Sequence, residues 1–114
     1  MAGTIDAATF RALQDAAGAD FVGELVGTFL EEAPRMMAEL KAAFEAGDGE
    51  RFRRTAHSLK SNGLTFGALG FAAQAKSLEL AGLSAVRAQG GDPLAALANE
   101  YRTAAAALEA LARA

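Results

Sequence analysis

Apolar positions recur along this chain at helical spacing, and glycine, aspartate and proline divide the pattern into five stretches. Thr4 or Asp6 can cap a short first helix that runs through Ala17 and stops at Gly18. Asp20 is placed to cap a long second stretch reaching about Ala46. Its apolar line is Phe21, Leu25, Phe29 (or Leu30), Met36 (or Met37), Leu40 and Phe44. Pro34 falls inside it and predicts a kink, or a break just before it. Gly47-Asp48-Gly49 reads as a turn, with Asp48 capping a third helix that ends near Gly67. A fourth helix over about 68–89 carries Phe71, Ala75, Leu78 and Gly82 as its apolar line. Gly90-Gly91-Asp92-Pro93 supplies a stop, a cap and a proline at the first helical position. The last helix, 93–113, holds Leu94, Leu97, Tyr101, Ala104, Leu108 and Leu111. Four amphipathic helices joined by short connections predict an all-α fold: an antiparallel up-down-up-down four-helix bundle with a short extra N-terminal helix.

Composition sharpens this picture. At 114 residues one domain spanning 1–114 is expected, and 52% hydrophobic residues are enough to fill its core. Much of that fraction is alanine, which favours helix, while β-branched and aromatic residues are sparse. A net charge of −3 makes no electrostatic case for nucleic acid or an anionic membrane as partner. The absence of cysteine removes disulfides, thiolate catalysis and thiolate metal sites. The first six residues show no secretory pattern, and no apolar run is long enough to span a bilayer, so a cytoplasmic protein is expected. The bundle looks complete in itself, which predicts a monomer.

One histidine exists in the chain, and its angular position is informative. With about 100° per residue, Phe52, Ala56, Leu59, Gly63 and Phe66 fall within roughly 80° of one another and form the core stripe. His57 lies about 140° from Phe52, on a strip with Arg53, Lys60, Ser61 and Leu64, off the core. The helices meeting at Gly67 form an antiparallel hairpin, in which His57 and Glu79 differ in height by only about 3 Å. Glu79 flanks its own stripe on the side facing His57, with Lys76 near it. A carboxylate accepting a hydrogen bond from Nδ1–H fixes the imidazole tautomer and leaves Nε2 outward as a nucleophile. Lys60, one turn on, offers a compact positive charge to phosphoryl oxygens. This constellation suits phosphoryl transfer to and from an imidazole, with metal and acidic residues supplied by a partner.

The segment Thr55-Ala56-His57-Ser58-Leu59-Lys60-Ser61-Asn62-Gly63-Leu64-Thr65-Phe66-Gly67-Ala68 resembles the signature of histidine-containing phosphotransfer (HPt) domains. Phe29-Leu30-Glu31-Glu32-Ala33-Pro34, the Gly47-Asp48 turn and Leu78-Glu79 extend the likeness over nearly the whole chain. The resemblance implies a four-helix bundle in which His57 accepts a phosphoryl group from a receiver-domain aspartate, or from a kinase, and passes it to another receiver's aspartate. It implies that Lys60 contacts the phosphoryl group and Glu79 the imidazole. Response-regulator receivers and hybrid histidine kinases are the implied partners. The chain itself would need no cofactor, a divalent metal being expected on the receiver. Arg53, Ser61, Leu64 and Lys76 are candidate docking residues. The family usually has Gly where Ser61 stands, and small Ser or Ala where Asn62 and Gly63 stand. Serine is still small, so docking should survive while rate or partner preference shifts.

Other readings compete with this one. A lone surface histidine is most often a solvated side chain, and Glu79 or Lys60 could be ordinary surface charges. A helical module that binds and sequesters a receiver or kinase without transfer would share the fold, but has no need for His57, Lys60 and Glu79 together. An autonomous enzyme lacks a Cys–His dyad and any phosphate-cradling glycine loop, and Ser58 lies about 100° around the helix from His57. A dimeric histidine-kinase phosphotransfer domain would usually carry a proline shortly after the histidine, and none stands there.

Overall fold

The computed structural model describes residues 5–113, which form five helices: α1 (Ala7–Ala17), α2 (Ala19–Ala46), α3 (Gly49–Phe66), α4 (Leu69–Gln89) and α5 (Ala95–Arg113). Among the described residues no strand forms, only an isolated antiparallel bridge between Ile5 and Ala68. The all-helical expectation therefore holds. Contacts run α2 to α3, α3 to α4, α4 to α5 and α5 back to α2, closing a ring around one core, while α1 packs on α2 and α3. Each of the four long helices contributes a ring to the central aromatic cluster. Phe29 of α2 lies 5.3 Å from Phe66 of α3 and 5.9 Å, edge-on, from Phe71 of α4, and Tyr101 of α5 stands 6.1 Å from both Phe29 and Phe71.

Several boundaries follow from capping chemistry. Asp6 caps α1 by accepting from the Thr9 backbone N–H at 3.1 Å; the alternative cap, Thr4, lies outside the described residues. The Thr9 hydroxyl also donates to Asp6, and these two bonds hold the Asp6 carboxyl below its ordinary pKa. Asp48 caps α3 by accepting from the Arg51 N–H at 3.1 Å. Gly47 and Gly67 close the preceding helices in the left-handed conformation.

Several sequence expectations are corrected. Asp20 does not cap α2; the helix starts at Ala19, after Gly18, and Asp20 sits within its first turn, where a carboxylate complements the helix dipole. Phe21 is 51% exposed, because the buried stripe of α2 runs one position later through Val22, Val26, Phe29 and Ala33. Of the two outcomes expected at Pro34, the break does not occur, since α2 runs through it. A proline leaves the carbonyl four residues earlier without its helical donor, here Leu30, and the Tyr101 hydroxyl donates to that oxygen at 3.2 Å. Gly82 is not a core position: its backbone (φ 80°, ψ 164°) interrupts α4, and the buried stripe steps from Leu78 to Leu83 and Val86. Finally, Pro93 and Leu94 form a turn before α5, with Asp92 accepting from Leu94 N–H, and Leu111 is 37% exposed at the far end of α5.

The α3–α4 hairpin positions the histidine. Gly67 joins the two helices, and a Cβ on it would stand 2.9 Å from the Asp6 carbonyl oxygen, so the segment before α1 seats directly on the turn. Gly63 allows the close approach: a Cβ there would meet the Phe71 ring at 2.9 Å and the Ala72 methyl at 3.3 Å. Glycine is thus required at Gly63 by contact and at Gly67 by both contact and positive φ.

Candidate functional site

His57 and Lys60 project from one flank of α3 toward α4, and Glu79 of α4 lies between them. The inward stripe Phe52, Ala56, Leu59, Gly63 and Phe66 is buried, which turns His57 outward with its side chain 56% exposed. Nδ1 of His57 stands 2.7 Å from Oε2 of Glu79, and the Lys60 ammonium stands 3.0 Å from Oε1 of the same carboxylate. Both oxygens of Glu79 are thus engaged, one by each partner, and the carboxylate is only 17% exposed. With Glu79 ionised, the proton of the neutral imidazole belongs on Nδ1, so that Nδ1–H donates to Oε2. The lone pair then resides on Nε2, which makes no hydrogen bond among the described residues.

The electrostatics reinforce this arrangement. The Lys60 ammonium holds the Glu79 carboxyl below the ordinary carboxylate range; partial burial opposes this, and the hydrogen bond and charge of His57 add to it. A lowered folded-state pKa means that the network contributes stability above the ordinary carboxylate range and loses it as pH falls through the lowered value. The Glu79 side-chain carboxyl, followed by 13C NMR, should therefore titrate below the ordinary range in the intact chain. Lys60→Ala should move the midpoint upward. An unmoved midpoint would mean that the two groups do not pair in solution.

The other residues singled out from sequence are arranged around this centre. Arg53, Ser61 and Leu64 are exposed along the same α3 face, Leu64 at 49%. Lys76 is exposed one turn before Glu79 and, like Arg53, has no carboxylate within 4 Å among the described residues. Neither Lys76 nor Arg53 is drawn into the His57–Glu79 contact. Asn62, to which the sequence assigns no role, reaches across to α2, where its side-chain N–H donates to the Met36 sulfur at 3.6 Å. That flank of α3 escaped sequence reasoning, although the helical wheel places Arg51, Arg54 and Ser58 there together. Among the described residues no group of three or more His, Cys, Asp or Glu side chains forms a metal site. No described helix is long and apolar enough to cross a membrane.

The geometry agrees with two comparisons. The chain is similar over 99% of its length to the crystal structure of histidine-containing phosphotransfer protein B (HptB) from Pseudomonas aeruginosa PAO1. The superposition has a TM-score of 0.75 at 27% sequence identity and covers 94% of that chain. A comparison with curated proteins gave no match. The family model of the Hpt domain matches residues 24–114, a span that takes in all of α3, α4 and α5 and with them His57, Lys60 and Glu79. By that match the chain belongs to the Hpt domain family.

Proposed function

We propose that this histidine phosphotransfer protein serves a two-component phosphorelay by accepting a phosphoryl group on His57 Nε2 and handing it on. The observation that carries the reading is the exposed imidazole whose Nδ1 is held 2.7 Å from Glu79, leaving Nε2 free. In the forward step Nε2 attacks the phosphorus of a receiver's aspartyl phosphate in line; the N–P bond forms, the P–O bond breaks and the aspartate leaves as a carboxylate. The product imidazole carries both the phosphoryl group and the Nδ1 proton, hence a positive charge on the ring, which the Glu79 carboxylate offsets. Return to a second receiver reverses these steps. A divalent metal bound by the receiver would supply most of the charge stabilisation at the phosphoryl oxygens, with Lys60 adding a further cation.

In this reading α2 to α5 act as an antiparallel up-down-up-down bundle, a single domain with α1 as its short extra helix. The protein works as a cytoplasmic monomer. Receivers or a hybrid kinase dock over Arg53, Ser61, Leu64 and Lys76. The deciding experiment incubates the chain with a panel of phosphorylated receiver domains and tests the label. Acid-labile, base-stable label identifies a phosphoramidate and supports the carrier; tight receiver binding without label would instead make this a sequestering module. Lys60→Ala should slow the transfer about tenfold, roughly 1.4 kcal/mol at the barrier. Unchanged kinetics would remove Lys60 from the mechanism.

A further inference from the structure

The charge of this protein is distributed unevenly. Helix α3 carries Arg51, Arg53, Arg54 and Lys60 against Glu50 alone, a net +3 in a chain whose total is −3, which leaves −6 for the remainder. On the flank of α3 facing away from Glu79, a groove of about 330 Å3 runs against α2, lined by Met36, Glu39, Arg51, Arg54, Thr55 and Ser58. Arg54 stands three residues before His57, about 60° around the helix from it, so the groove lies on the flank next to the face that carries the imidazole. Two arginines line it in different states. Arg51 is paired with Glu39, Nε to Oε1 at 3.3 Å, whereas Arg54 is exposed and has no carboxylate within 4 Å among the described residues.

Resting on the phosphocarrier reading, we infer that this α2–α3 groove is a second docking subsite, in which Arg54 receives a carboxylate of the phosphodonor protein and Glu39 tempers the attraction by holding Arg51. The occupant follows from charge complementarity. A protein that presents an aspartyl phosphate brings a locally anionic surface to His57, and the remainder of this chain, at −6, repels such a surface. The basic face of α3 is therefore where an anionic partner can approach, and the unpaired guanidinium is the cation in the groove that can pair without breaking an existing contact. A fork of parallel N–H donors also favours a carboxylate geometrically. Charges at the edge of an interface act on encounter more than on chemistry, so Arg54 and Glu39 set KM and its salt dependence and leave the bond-making step alone.

The test uses the full chain, the phosphorylated receiver that loads it fastest, and phosphoramidate, a small donor that phosphorylates histidine without a docking surface. Arg54→Glu should lower kcat/KM from the receiver about tenfold at low ionic strength, through KM. The loss should shrink as salt shortens the Debye length from about 10 Å at 0.1 M to about 3 Å at 1 M. Glu39→Gln, which releases Arg51, should shift kcat/KM the opposite way. Both variants should label with phosphoramidate at the rate of the unaltered chain. Unchanged receiver kinetics, shifts of the same sign in both variants, or a parallel fall in phosphoramidate labelling would each overturn the inference. Failure of the unaltered chain to accept phosphate from any donor would remove the phosphocarrier reading itself, and this subsite with it.

Discussion

Replacing His57 with Gln should abolish phosphoryl acceptance from every donor while leaving the fold and its melting temperature nearly unchanged. The chemical half of this expectation rests on the nucleophile. A glutamine amide nitrogen has its lone pair delocalised into the carbonyl and cannot form the N–P bond, and no second histidine exists to replace the first. The structural half rests on where the side chain lies. His57 is 56% exposed and stands outside the buried stripe of α3, and surface substitutions of this kind usually change stability by no more than about 0.5 kcal/mol. Glu79 keeps its Lys60 partner at 3.0 Å when the imidazole is removed, so no charge is left unpaired. Radiolabel transfer beside a thermal melt checks both halves in one preparation. Label retained by a folded variant would place the acceptor elsewhere.

The largest stability effect should come from Phe71→Ala. Phe71 is fully buried and touches every wall of the core: Phe29 edge-on at 5.9 Å, Tyr101 at 6.1 Å, and the backbone of α3 at Gly63, where even a methyl would be too close. Gly63 and its surroundings are fixed by backbone packing, so collapse into the vacated space is limited and a cavity remains. Large-to-small changes of this kind cost about 3–5 kcal/mol. A domain of this size is typically stable by only about 5–15 kcal/mol, so a large share would be lost. Urea denaturation followed by circular dichroism should show a lower midpoint with a similar slope. A loss below about 1 kcal/mol would mean that the hairpin repacks freely and that Gly63 does not set the α3–α4 distance.

Much of this was legible in the chain because periodicity and punctuation are local signals. The buried stripe of α3, the Asp6 and Asp48 caps and the glycine stops follow from residues within a few positions of one another. The meeting of His57 with Glu79 was legible for a related reason: a tight hairpin about Gly67 converts sequence distance into height, and the wheel supplies the flank. The failures are of two kinds. Phe21 and Val22 are both apolar, and only the packing of α2 on its neighbours decides which of the two faces inward. At Gly82 a change of two backbone angles shifts every later position of α4 by one, so a pattern extrapolated from Leu78 names the wrong residue. The α2–α3 groove was hidden because the turn at Gly47–Gly49 sets heights along that hairpin but not the spacing between its helices, on which a groove depends.

The bond from Tyr101 to Leu30 has a consequence for how the chain reaches this structure. Pro34 removes a donor from the middle of α2, and the donor that takes its place lies 71 residues beyond Leu30, in the last helix. Burial and the Glu109 carboxylate push the Tyr101 phenol above its ordinary pKa, so it stays protonated and able to donate. The hydroxyl that satisfies the Leu30 carbonyl is a non-local partner, so this bond carries the loop-closure cost of joining the second helix to the last. Docking of α5 thus supplies, at the middle of α2, the donor that Pro34 takes away.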